Sequence, residues 1–212
     1  MRHLLTAAVL VLIAGCGGGS ATSVQAPLPP VATGNLSKAQ LTAYLLQPAD
    51  LPDLPQRRVF ASTDLTTRTT PQLALCRPAS LAAPHEVANV IAESAKLGMA
   101  KVFEVLLAYP DAVAASKAFA YDKATAYACP SYQAQGLTYV VSDLSQVQVE
   151  GGFPALQYRL GTAGLVDGDV RTFAQKGRFT VFITGSGGPH RGQAMLDYQA
   201  ATLRKALNRL PA

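Results

Sequence analysis

The chain has 212 residues, nearly half of them hydrophobic and only 15% charged, with a formal net charge of +5. That balance excludes a disordered, strongly charged polypeptide and suits a domain able to bury a real core. The positive charge is dispersed, with only Arg57 and Arg58 adjacent, and no basic stripe with interleaved aromatics is present, so nucleic acid is excluded as a partner.

The first element is a targeting segment. Met1-Arg2-His3 is a short basic start, residues 4–14 are almost wholly apolar, and Gly15-Cys16 follows. A charged start, a short apolar run and small residues at a cut mark a secretion signal. The run is too short for a hydrocarbon core that needs about 20 residues. Residues 1–15 are therefore expected to be removed, which lowers the charge from +5 to +4 with Arg2. Residues 16–36 are Gly, Ser, Thr, Pro and small apolar residues without charge, as in a flexible tether. Residues 37–212 form one expected globular domain.

Within that domain the spacing of Leu41, Tyr44 and Leu45 predicts a helix over Leu36–Gln47, capped by Ser37 and ended by Pro48. Pro52 and Pro55 keep the next stretch extended, a strand is predicted near Arg58–Ala61, and a short helix over Glu86–Ala95. Phe103, Val105, Leu107 and Tyr109 alternate, which predicts a strand. Pro110-Asp111 then opens a helix with Ala112, Ala115, Phe119 and Ala126 as its apolar stripe, up to Cys129 and Pro130. Strands are predicted over Leu137–Val149, Ala155–Leu160, Asp169–Gln175 and Phe179–Thr184, with a hairpin turn at Lys176-Gly177. The last element is a helix from about Arg191 to Leu210, with Leu196, Ala200, Leu203, Leu207 and Leu210 on one stripe and Lys205 and Arg209 near its negative end. The expected fold class is α+β: one antiparallel sheet covered by N-terminal, central and C-terminal helices.

Three cysteines are present. Ile13-Ala14-Gly15-Cys16 resembles the bacterial lipobox, with Ile in place of the usual Leu. That resemblance implies a diacylglycerol on Cys16, an anchor of two acyl chains sufficient for stable attachment, and a place on the extracytoplasmic face of the cell membrane. Cys76 and Cys129 remain as an even pair, which in an oxidising compartment reads as a disulfide, two free thiols being the alternative. Closing a loop of about 54 residues would stabilise by roughly 4 kcal/mol on the chain-entropy account. No Cys-x-x-Cys is present to poise a redox thiolate.

Catalytic and metal constellations are not apparent, and no cofactor is expected. His85 and His190 have no second ligand at metal spacing. Asp167 and Asp169 flank Gly168 as hairpin-turn residues do, without the further ligands of a calcium loop. Ser186 lacks the Gly-x-Ser-x-Gly context of a nucleophile elbow. Gly185, Gly187, Gly188 and Arg191, between a predicted strand and a predicted helix, have the setting of an anion site, although they match neither the P-loop nor the dinucleotide fingerprint. Tyr121, Tyr127, Tyr132, Tyr139 and Tyr158 are candidates for the lining of an apolar cleft, or for core and rim positions.

Residues 101–119, Lys-Val-Phe-Glu-Val-Leu-Leu-Ala-Tyr-Pro-Asp-Ala-Val-Ala-Ala-Ser-Lys-Ala-Phe, together with Cys76, Cys129, the late hairpin Arg171–Thr184 and the closing helix, resemble PknH-like extracellular sensor domains of actinobacteria over about residues 40–210. These occur on receptor kinases and on lipoproteins without a kinase. A Mog1/PsbP-type lipoprotein fold has a similar element order. The PknH-like resemblance implies a cysteine before the strand and another at the helix end, as Cys76 and Cys129 stand here, and a non-catalytic role in binding a ligand outside the cell. The family's second disulfide, in the late hairpin, has no counterpart near Ala174 and Gly185, so packing must hold that hairpin. The expected function is a lipid-anchored binding or sensory module for a small apolar or envelope-derived ligand. A protein-interaction or scaffolding lipoprotein is the alternative.

Overall fold

Two β-meanders are joined through their inner strands into one antiparallel sheet. The computed structural model describes residues 35–62, 86–94, 100–134, 136–149, 151–162, 168–187 and 192–211, all within the unit Thr33–Ala212. The first meander comprises β1 (Gln56–Ser62), β2 (Glu86–Ser94) and β3 (Ala100–Ala108). The second comprises β4 (Ser131–Ala134), β5 (Leu137–Val149), β6 (Phe153–Thr162), β7 (Asp169–Lys176) and β8 (Phe179–Ser186). β3 pairs with β8, giving the order β1-β2-β3-β8-β7-β6-β5-β4. Helix α1 (Lys38–Tyr44) precedes the sheet, α2 (Ala112–Ala128) links the meanders, and α3 (Gln193–Arg209) closes the chain. The α+β class read from the sequence is the class observed.

The strands explain the two-sided core. Along β3, Val102, Leu106 and Ala108 join the layer under α1 and α3, while Val105 and Leu107 join the layer under α2. Phe179, Val181 and Ile183 of β8 face the first layer and Phe182 the second. A strand covered on both faces reads as a nearly continuous apolar run, as these do. Each fully buried Leu or Phe contributes roughly 1.5–3 kcal/mol relative to exposure.

Helix ends follow their side chains. Ser37 and Gln40 form a reciprocal capping box on α1, each accepting the other's backbone N–H. α1 stops at Tyr44, earlier than the Gln47 expected. Asp111 is the N-cap of α2 and accepts the Ala114 N–H at 2.7 Å. Lys176 Nζ donates to the carbonyls of Leu207 and Leu210, at 3.1 and 2.9 Å, at the negative end of α3. Lys205 and Arg209, expected to serve that end, instead reach Asp50: Lys205 Nζ donates to its carbonyl at 2.8 Å and Arg209 Nε to its carboxylate at 2.5 Å.

The structure corrects several expectations. Glu86–Ser94 is a strand and not a helix. Its small Ala88, Val90 and Ala92 are buried at period two between β1 and β3, and alanine's helix propensity yields to that pairing. β4 was not expected; it forms because Tyr132 and Tyr139 pair across a tight hairpin. The β7–β8 turn is Gly177-Arg178, one residue later than expected, with Gly177 at φ +55° as such a turn requires. Leu203, Leu207 and Leu210 of the expected α3 stripe are buried, whereas Leu196 and Ala200 are half-buried and Met195, Gln199, Thr202 and Ala206 complete the inner face. Ala112 of the expected α2 stripe is exposed, and Ala118 takes its place inside.

Candidate functional site

The α2 face of the sheet grades from closed to open. Register places Val105, Phe182, Phe173 and Leu156 side by side on neighbouring strands, and all four are buried. α2 lies over this row: the Phe119 ring meets Phe173 edge-on at 5.4 Å, and Phe173 stacks on Phe182 at 5.0 Å. The next row is Phe103, Thr184, Arg171 and Tyr158; its first three members are half-buried. The row beyond is Lys101, Ser186, Asp169 and Leu160, with Lys101 exposed and Ser186 and Asp169 half-buried. A 17-residue helix thus covers one row and leaves a shelf beside it.

Aromatic and charged groups furnish the shelf. Tyr158 is buried, at 6.3 Å edge-on to Phe173, and its hydroxyl accepts a hydrogen bond from the Arg171 guanidinium. Tyr132 and Tyr139 stack at 5.1 Å on the β4–β5 hairpin, half-buried, with Arg171 and Asp169 within electrostatic range of Tyr132. Burial pushes the Asp169 carboxyl up, and the Arg171 charge and the Ser186 hydroxyl oppose it. Burial likewise holds Tyr109, Tyr132 and Tyr158 above the usual phenol range.

Asp122 is the unusual member. It sits on the inner stripe of α2, one turn after Phe119 and one before Ala126, where apolar side chains are the rule. Among the described residues it has no hydrogen-bond or ion-pair partner, and burial alone pushes its carboxyl up to about 7. Its charge is felt by Tyr109 and Tyr158, so it faces the space between α2 and the sheet.

The sequence-derived candidates divide as follows. Tyr132, Tyr139 and Tyr158 come together on the α2 face. Tyr121 is half-buried on α2, and Tyr127 is 49% exposed, its hydroxyl accepting from Gln146 Nε2 at 3.3 Å. Gly185 is glycine because Gln199 fills the space: a Cβ there would lie 1.6 Å from Gln199 Nε2. Gly187 has φ +67°. Cys129 is buried at the C-cap of α2 and is not a free thiol. Cys16, Cys76, His85, Asp167, Gly188, His190 and Arg191 lie outside the described residues. Among the described residues no cluster of His, Cys, Asp and Glu would hold a metal, and no helix is long and apolar enough to cross a membrane.

Sequence reasoning missed Asp122, Asp169 and Arg171 as a group. Asp122 alone left a signal, a carboxyl at the i+3 position from Phe119 on the apolar stripe of its helix. The other two meet Tyr158 through register, which the sequence does not carry.

The extracellular domain of PknH from Mycobacterium tuberculosis has this fold. Its crystal structure superposes with a TM-score of 0.57 over 84% of this chain and all of that domain, at 11% identity. At that identity the likeness shows the fold. No family profile matches the chain, and no curated protein does. Across the late hairpin, which has no cysteine, Phe173 stacks on Phe182 beside the antiparallel β7–β8 pairing.

Proposed function

We propose that this chain is an extracytoplasmic binding or sensory module, non-catalytic, that takes a small apolar or envelope-derived ligand on the shelf beside α2. The observation that carries the reading is the juxtaposition of Tyr132, Tyr139, Tyr158 and Arg171 on one face of the sheet, with Asp122 of α2 within electrostatic range of Tyr158. Ligand sites combine apolar walls with few convergent polar groups, which is this composition. The fold shared with the PknH extracellular domain supports the placement outside the cell. Cys16 carries the lipid, the segment after it acts as the tether but ends before Leu36, which is buried in the core under α1 and α3, and Cys129 pairs with Cys76, the one other cysteine once Cys16 is acylated.

The test is native mass spectrometry of the protein recovered from envelope extracts, with Tyr132→Ala and Arg171→Ala alongside. A co-purifying small molecule lost in both variants is the expected result. Absence of any small molecule, with stoichiometric cross-linking to one envelope protein, would instead support the scaffolding alternative.

A further inference from the structure

We infer that Arg57 is a two-position latch on the segment that follows α1: it holds the Leu46 carbonyl while Glu104 is protonated, and it turns to the Glu104 carboxylate, letting go of Leu46, once that proton leaves.

Strand register brings the two side chains to one face. On β1, Val59 packs into the layer under α1 and α3, and Arg57, two residues before it, faces the same way. On β3, Val102 and Leu106 face that layer, and so does Glu104 between them. β2 lies between the two strands, and beside Arg57 it presents only the methyl of Ala92, which leaves a long side chain room to cross. Both heads meet at Leu46: Arg57 Nη2 donates to its carbonyl at 2.6 Å, and Glu104 Oε2 accepts from its N–H at 2.7 Å.

Each head leaves one atom unused. Among the described residues the buried Glu104 Oε1 and the buried Arg57 Nε have no hydrogen-bond partner. In the neutral acid the oxygen that accepts from Leu46 is the carbonyl oxygen, so Oε1 carries the proton and has no acceptor for it. Arg57 cannot serve, because a guanidinium only donates. Loss of the proton turns Oε1 into an acceptor, and the Arg57 Nε–H is the unused donor at hand. A half-satisfied buried network is costly, and ionisation with one swing of the guanidinium completes this one through a charge-assisted hydrogen bond. The segment after α1 then keeps its hold at the Leu46 N–H and loses the one at the carbonyl.

The other charges nearby are already engaged. Asp50, in the 3-10 turn Pro48–Asp50, and Arg209 of α3 act on Glu104 in opposite directions and are bonded to each other, while Lys205 of α3 donates to the Asp50 carbonyl. On α1, Lys38 is exposed and the Tyr44 ring lies against Phe179. Beside Glu104, β2 and β8 present Val90 and Ile183, and Glu93 and Lys101 pair on the opposite face. Burial pushes the Glu104 carboxyl up to about 8, so both holds on Leu46 are in place below that pH and the carbonyl hold is released above it.

The test follows three groups of the full chain by 13C-detected NMR from pH 5 to pH 9.5: the Glu104 carboxyl carbon, Arg57 Nε and the Leu46 carbonyl carbon. All three should shift with one shared midpoint, the Leu46 carbon in the direction of a lost hydrogen bond. Glu104→Gln fixes the neutral state, so the Arg57 and Leu46 resonances should stop titrating. Arg57→Gln removes the charge that ionised Glu104 would meet, and the Glu104 midpoint should rise by about one pH unit or more. Should Glu104→Gln fail to fold, the Arg57→Gln midpoint carries the test alone. A Glu104 that titrates while Arg57 Nε stays still overturns the latch. An Arg57 response that persists in Glu104→Gln, a Glu104 midpoint unmoved by Arg57→Gln, or a Glu104 that does not titrate in this range overturns it equally.

Discussion

Glu104 and Leu46, 58 residues apart, are joined inside the protein: the Leu46 backbone N–H donates to Glu104 Oε2 at 2.7 Å. Glu104 is fully buried in β3, its second oxygen has no hydrogen-bond partner among the described residues, and Arg57 holds the same residue by donating to the Leu46 carbonyl at 2.6 Å. The chain after α1 is thus clamped between an acid and a base beneath the sheet.

Burial pushes the Glu104 carboxyl up to about 8, against the pull of the Leu46 N–H and Arg57. The folded state therefore holds its proton more tightly than the unfolded chain does. The associated stability is complete below the ordinary glutamate pKa and is lost as pH rises through 8. The unfolding free energy from urea curves should fall between pH 5 and pH 9 by an amount on the order of a few kcal/mol, and Glu104→Gln should flatten that fall. Glu104→Ala should destabilise at every pH, by about 1–3 kcal/mol for the orphaned Leu46 N–H and more for the cavity.

Gly185→Ala is expected to clash with Gln199, whose Nε2 occupies the place of the new methyl. The single variant should lose about 1–3 kcal/mol, as over-packed cores do. Gly185→Ala combined with Gln199→Ala should recover much of the loss. Thermal melts of the two single variants and the double variant form the cycle, and simple additivity would show that the two residues do not compete for space.

Phe173 touches Phe119, Tyr158 and Phe182 and is the hub of the α2 layer. Phe173→Ala should cost about 3–5 kcal/mol. Tyr132→Ala, at the half-buried edge, should cost far less. Denaturant curves for the two variants read the difference directly, and similar losses would mean that the hairpin tyrosines belong to the core and not to a shelf.

Oxidation should be visible by mass. Under non-reducing conditions the mature protein should be lighter by the two hydrogens lost when Cys76 and Cys129 join, and heavier by the diacylglycerol on Cys16. Cys16→Ser should remove the lipid while leaving the lower hydrogen count. Either cysteine appearing free in alkylation experiments would break the pairing.

Much of this architecture can be read from the residues alone, and the failures have physical causes. Phe103-x-Val105-x-Leu107 and Pro110-Asp111 identify β3 and the start of α2 because alternation and capping are local. Val87 to Ser94 does not identify β2: small residues fit a helix as well as a strand, and only β1 and β3 on either side decide. Gln199 faces inward on α3 in the space that Gly185 leaves, and Gln157, bonded to Thr172, donates to the Leu196 carbonyl, so the helix buries polar side chains beside its leucines. The shelf is still less visible, since Arg171 meets Tyr158, and Phe103 meets Thr184, through strand register between distant segments.

The pairing of β3 with β8 sets the order in which this polypeptide can mature. Val105 has no lasting neighbour on that side until Phe182 has been delivered, so a chain arriving amino end first holds its opening meander with a bare edge. Contacts of such long sequence separation make for slow folding, and the interval is one of exposure to aggregation and proteolysis. Any truncation before Phe179 would leave that edge bare for good.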